Sequence, residues 1–272
     1  MEAAMDLMRR MPPSKSDKAL SNLIALLPAY SQELLSRVDQ SLQVAWDEEC
    51  QKNFLLCDYN RDGDAHRSPW SNTYYPVLED GVQPSKELRK MEIEANNVFA
   101  IYRDQYYEGG ISSVYMWEPE DGQGFFACFL IKKDGSHSGD GRRGLLQHGI
   151  WEAIHVIEVG QEEEGQAHYC LTSTVMLGLT SENRASGTFS LSGAITRQME
   201  SDSEVTEGHM PNMGRMIEEM ESKLRNGLDQ VYFGKTKEVI STLREPLGVL
   251  NAATFTGRSI QQNVTNEMMR YR

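Results

Sequence analysis

Between Val114 and Thr196 the chain repeats one pattern five times, and this repetition limits the fold more than any other feature of the sequence. Val114-Tyr115-Met116-Trp117, Phe125 to Lys132, Ile150 to Val159, Ala167 to Leu177 and Gly187 to Thr196 are short runs rich in aromatic and β-branched residues. Such side chains pack well on a pleated surface. Clusters of Gly, Asp and Ser bound them, among them Asp121-Gly122, Asp134-Gly135 and Ser181-Glu182-Asn183, and these residues turn a chain sharply. A parallel crossover needs a dozen or more residues, so strands joined this closely pair antiparallel. The sequence therefore predicts a five-stranded antiparallel meander. A two-residue period puts Trp151, Ala153, His155, Ile157 and Val159 on one face of it.

On either side the period becomes helical. Met213, Met216, Ile217, Met220, Leu224, Leu228, Val231, Val239 and Leu243 follow a 3.6-residue repeat from about Pro211 to Arg244, before Pro246 stops it. The methionines of this stripe read as core. At 1.5 Å per residue such a helix runs roughly 50 Å, longer than one small sheet can cover. An open sheet also leaves bare strand edges. Together these features predict an obligate partner. Upstream, Met5, Leu7, Met8 and Met11 mark a short helix stopped by Pro12-Pro13. Ser14 with Asp17 opens a second one carrying Leu20, Leu23, Ile24 and Leu27, and Ser31 a third with Leu34, Leu35 and Val38. Short antiparallel helices bury such stripes. Cys57 to Gly81 is turn-rich and aromatic, a long irregular stretch of the kind that serves function or packs against something large. Ser85 and Glu87-Leu88 then open a helix through about Tyr107, ended by Gly109-Gly110.

The expected class is α+β. A helical stalk (1–56) is followed by an irregular segment with a connecting helix (57–110), the antiparallel sheet (111–197), a long helix over the sheet (198–246) and a mobile amphipathic tail (247–272). Within the tail, Ile260, Val264, Met268 and Tyr271 share a helical face, with Arg258, Arg270 and Arg272 against the single acid Glu267. A lone helix of ~15 residues is marginal in water, so the tail orders on docking.

Charge and cysteine usage narrow the function. Lys and Arg number 27 against 40 Asp and Glu, a net charge of −13, which argues against sequence-independent nucleic-acid binding because that requires a basic footprint. Cys50, Cys57, Cys128 and Cys170 form no CxxC pair and are expected to be reduced and mostly buried in a cytoplasmic protein. No apolar run approaches the ~20 residues of a membrane span, and no leader is visible.

Two motifs imitate ligand sites. Asp58-x-Asn60-x-Asp62-Gly63-Asp64 matches the opening of an EF-hand loop, but its twelfth position is Pro69 instead of a bidentate Glu. Gly139-x-Gly141-x-x-Gly144 matches a dinucleotide fingerprint, yet it leads into another strand run where the fingerprint needs a helix. Both read as turns. His155 and His168 fall on neighbouring strands, where a pair could ligate or titrate. No nucleophile elbow, P-loop or HExxH occurs. The expectation is a non-enzyme without metal or cofactor.

Longer blocks carry a family resemblance. Leu56-Cys57-Asp58-Tyr59-Asn60-Arg61-Asp62-Gly63-Asp64, Arg67-Ser68-Pro69-Trp70-Ser71-Asn72, Leu78 to Gly81, Glu92 to Asn97 and Tyr107 to Tyr115 resemble the F-actin-capping protein β subunit. So do Trp151 to Val156, Leu171 to Met176 and Tyr232-Phe233-Gly234-Lys235-Thr236-Lys237, all in the family's order over residues 1 to 245. The resemblance implies a heterodimer with a similarly folded α subunit, the two sheets joined into one, that caps filament barbed ends without calcium. It also implies a C-terminal tentacle at about Leu247 to Arg272, with Ile260, Val264 and Met268 for an apolar groove on actin and Arg258, Arg270 and Arg272 facing its acidic surface. The tail has few leucines and departs from a familiar β tentacle. Further expected partners are anionic phospholipids and regulators that grip the stalk. The alternative reading is a structural or regulatory subunit of a larger actin-related assembly.

Overall fold

The computed structural model describes residues 13–31, 41–119, 122–138, 145–183, 187–228 and 230. The chain divides into two compact units, Met1–Met220 and Glu221–Arg272. Five strands form the centre of the first: β6 (Ile111–Trp117), β7 (Phe125–Ser138), β8 (Leu145–Val159), β9 (Gln166–Asn183) and β10 (Gly187–Glu204). Every neighbouring pair is antiparallel and the spatial order equals the chain order, the expected meander. The strands are longer than the sequence pattern marks. Asp134-Gly135, read as a turn, lies inside β7 opposite Gly149 and Ile150.

Register fixes two faces. Ala127, Phe129 and Ile131 line up with Ile157, His155 and Ala153 and with Leu171, Ser173 and Val175, all buried. Helix α2 (Lys86–Tyr107) covers this side: Phe99 meets Phe129 edge-on with ring centres 5.3 Å apart, and Tyr107 lies 6.4 Å from Trp151. Ser85 caps α2 by accepting from the Leu88 N–H, as its position predicts. At the other end Glu108 takes the left-handed conformation ahead of Gly109 and Gly110. Gly110 has φ +109°, and a Cβ there would stand 2.7 Å from the Lys132 carbonyl oxygen, so no other residue fits.

Helix α3 (Met210–Leu228) follows β10. Met213, Met216, Ile217, Met220, Leu224 and Leu228 are all buried, so the methionine stripe is core. Its start is tied to the sheet. Asn212 donates to the Tyr169 hydroxyl at 3.1 Å and to the Glu204 carbonyl at 2.9 Å, and Tyr169 contacts His209 Nδ1 at 2.9 Å. Tyr106 of α2 donates to Glu218 of α3 at 2.8 Å, joining the two helices.

The opposite face receives a β-hairpin, β1 (Gln43–Asp47) and β2 (Lys52–Leu56). This corrects the helical reading for residues 43–56. Helix α1 (Pro13–Leu26) does occur, but it already includes Ser14, which is therefore not its cap; a one-turn helix follows at Pro28–Tyr30. Val44-Ala45-Trp46 and Phe54-Leu55 are short apolar runs, a signal too brief to outweigh the helical stripes before them. Met5 to Met11, Leu34, Leu35 and Val38 lie outside the described residues. The irregular stretch after Cys57 holds a helical turn (Asp58–Asn60) and a small sheet of β3 (Arg61–Asp62), β4 (Ala65–Arg67) and β5 (Tyr74–Tyr75).

Candidate interaction surfaces

The blocks richest in unusual residues are structural. Glu92 of α2 is buried beneath two guanidinium groups. Arg67 holds both of its oxygens, at 2.8 and 2.7 Å; Arg89 also pairs with it, and the Met116 N–H donates to it at 2.7 Å. Arg67 also donates to Asn72, and Arg89 to the carbonyls of Pro69 and Trp70. One carboxylate thus joins the small sheet, the Pro69-Trp70 loop, α2 and β6. Burial disfavours the Arg67 cation, but its bonds to Glu92 more than reverse that and raise its pKa.

A second knot surrounds Asp47 at the end of β1. It accepts from the backbone of Glu49, Cys50 and Ser71 and from the hydroxyls of Ser68, Ser71 and Tyr75. Burial would raise the Asp47 carboxyl, yet these donors hold it well below the usual carboxylate range. Asn60 bridges the same region, accepting from Cys57 N–H and donating to the Arg67 carbonyl. The EF-hand imitation is explained here. Asn60 is engaged by Cys57 and Arg67, Asp62 accepts from Val82 N–H and Asp58 faces Arg61. Among the described residues no cluster of His, Cys, Asp and Glu is placed to hold a metal ion.

The histidine pair does not exist. His155 lies on the helix-covered face, bonded to Ser173 at 2.8 Å, whereas His168 lies on the other, bonded to Asp202 at 2.7 Å. His168 is raised above its ordinary value, by that hydrogen bond first. Gly139 to Gly144 lie outside the described residues; they connect β7 to β8, which pair antiparallel, so no helix comes directly after them. The cysteines also differ from expectation. Only Cys128 is buried; Cys50 is exposed, and Cys57 and Cys170 are intermediate.

Among the described residues the outer edge of β10 carries no strand. Along the hairpin-covered face, burial falls steadily across the sheet. Tyr115, Cys128 and Leu130 are buried with Leu42 and Leu55; Ile154, Val156 and Met176 are partly buried; Thr196, Gln198 and Glu200 are exposed. Among the described residues β10 has a strand on one side only, along its whole length. An edge with which no strand pairs among the described residues is a template for another strand. The tail positions Arg258, Ile260, Val264, Met268, Arg270 and Arg272 lie outside the described residues.

Comparison with known proteins gives a consistent picture. The family model described as F-actin capping protein, beta subunit, matches residues 1–240. The F-actin-capping protein subunit beta of Arabidopsis thaliana is 64% identical over 250 residues, covering 92% of this chain and 97% of that protein. The corresponding Drosophila melanogaster protein is 53% identical over 247 residues, covering 90% and 87%. Among solved structures, the homodimeric actin capping protein alpha subunit from Plasmodium berghei has the same fold, with a TM-score of 0.52 at 17% identity over 90% of this chain and 95% of that one.

Proposed function

Because the chain belongs to the family of F-actin capping protein β subunits, we propose that it forms a heterodimer with a capping protein α subunit and that the pair binds the barbed end of an actin filament. There it blocks subunit addition and loss. The observation that carries this reading is the edge of β10 that no strand occupies among the described residues, where burial of the hairpin-covered face also fades. A partner sheet continuing from this edge would satisfy the open backbone groups and cover the half-exposed apolar residues. The Plasmodium berghei α subunit, a homodimer with the same fold, supports pairing between two chains of this shape.

Capping in this reading is independent of calcium. The Asn60 and Asp62 side chains of the EF-hand imitation already hold the turn together. The segment from Leu247 to Arg272 serves as the tentacle, Ile260, Val264 and Met268 entering an apolar groove while Arg258, Arg270 and Arg272 meet acidic surface. Complementary charge would speed encounter with the filament as well as hold it.

Seeded elongation from barbed ends tests this directly, using the chain co-expressed with an α subunit, with and without residues 248–272. Full-length protein should stop elongation at amounts far below that of actin, and the truncated form should leave the end faster. Equal capping by both forms would remove the tentacle from the mechanism. No capping by an intact heterodimer would overturn the reading itself.

A further inference from the structure

Two of the four cysteines belong to one packed cluster, at a place where the irregular segment rests on the sheet. Leu55, at the end of β2, is held over β6 by two bonds: its N–H donates to Ser113 Oγ at 2.9 Å, and its carbonyl accepts from the Tyr115 hydroxyl at 2.7 Å. Tyr115 faces Cys128 directly across the β6–β7 ladder, and Leu55, Tyr115 and Cys128 belong to one buried cluster. Cys57 is two residues beyond Leu55 and packs against that cluster. Cys57 thus lies against the same cluster as Cys128, and after burial its proximity helps push the Cys128 thiol up. Cys57 is also fixed from behind: its N–H donates to Asn60 Oδ1, and its sulfur accepts from the Asn60 N–H. Next to it, Tyr59 stacks on Trp117 with ring centres 4.8 Å apart.

The geometry points to a redox clamp: oxidation by a peroxide closes Cys57 and Cys128 into a disulfide that pins the start of the 57–81 segment to the middle of β7. The clamp does not depend on the capping reading. Cys57 is the more accessible thiol and reacts first. Its sulfur takes one peroxide oxygen as the O–O bond breaks, leaving a sulfenic acid and one water. The Cys128 sulfur then attacks the Cys57 sulfur; the S–S bond forms, the S–O bond breaks, and the oxygen leaves as a second water carrying the remaining thiol proton. Two thiols lose two electrons and one peroxide gains them. Burial pushes the Cys128 thiol well up, which makes the second step slow and selects for oxidant exposure that is sustained. Cys50, exposed at the β1–β2 turn, has no part in this step.

The test is hydrogen peroxide treatment of the full-length chain in its assembly, followed by alkylation of remaining thiols and peptide mapping without reductant. The expected product is a Cys57–Cys128 linked peptide lacking two hydrogens. The oxidised protein should melt several degrees higher, because a cross-link closing so long a loop restricts the unfolded chain. Dithiothreitol should reverse both effects. Cys128→Val, close in volume, and Cys57→Ser should each abolish the link and the shift while keeping the fold, checked by circular dichroism. Both thiols still alkylated after peroxide has consumed Cys50, or Cys57 carried on to sulfinic acid without a link, would overturn the proposal. A linked protein that melts no higher would overturn the clamp.

Discussion

The two faces of the sheet are built from the same five strands and end up in different conditions. On the side of α2 and α3, burial is maintained from β7 to β9: Phe129, His155, Ile157, Leu171 and Val175 are all enclosed. On the hairpin side, burial begins equally complete at Tyr115 and Leu130 and then decays toward β10. Ser41 and Lys132 both reach Glu152 there, at 2.6 and 2.7 Å. Among the described residues one side is enclosed by this chain's own helices, and the other thins out toward β10.

The most severe perturbation attacks the enclosed region. Glu92→Ala leaves Arg67 buried without its carboxylate, and should cost about 3–5 kcal/mol, the usual penalty for orphaning a buried charge. Thermal or urea unfolding measures it. A loss below about 1 kcal/mol would mean that water reaches the two guanidinium groups and replaces the lost carboxylate.

Positions along the hairpin-side face give a finer contrast. Leu130→Ala should cost about 2–5 kcal/mol wherever it is measured, since the site is fully enclosed. Met176→Ala, at a half-exposed position, should cost about 1 kcal/mol or less in any form with β10 unpaired and more in the heterodimer. Equal costs in both states would indicate that no partner covers that end. At the edge, on the helix-covered face, Ile195→Asp puts a charge on β10 where a neighbouring sheet would have to desolvate it, so association with the α subunit should weaken at least tenfold, about 1.4 kcal/mol. Analytical ultracentrifugation reads this outcome.

pH gives a smaller effect, with definite signs. The lowered Asp47 pKa means that the folded chain binds fewer protons than the unfolded one, so its stabilisation is present above the ordinary value of 3.8 and is lost as pH falls below it. Asp47→Asn should flatten that acid limb in a melting-temperature profile. His209, lowered chiefly by burial, stabilises above its ordinary value of 6.5 and loses that contribution as pH drops through the folded value. His168 has the opposite sign: raised, it stabilises below 6.5 and loses this as pH rises. Because His168 is exposed, its effect should be the weakest of the three.

The range of each interaction decides how much of this molecule is legible in its sequence. The meander and the buried stripe of α3 rest on local periodicity, which is visible in Trp151 to Val159 and in Met213 to Met220. The β1–β2 hairpin is hidden because Val44 to Leu56 is stabilised by contacts far along the chain, such as Tyr115 with Leu55, that no window of sequence contains. The Arg67–Glu92 and Asp47 knots are invisible for the same reason. Their residues stand out only as members of distinctive blocks, and the EF-hand spacing in one block conceals a turn. His155 and His168 read as neighbours because strand adjacency is legible, whereas the side each histidine takes depends on register.

If a second chain completes the open side, β10 is an interior strand of a larger sheet. Hydrogen exchange of its amides in the assembled heterodimer is the decisive test. An antiparallel strand with one neighbour protects alternate amides and leaves the others in water, whereas a strand with two neighbours protects all of them. Continuous protection along the central part of β10, from Ile195 to Ser201, is the result expected. Protection at every second residue, with the amides between exchanging rapidly in the intact heterodimer, would contradict it.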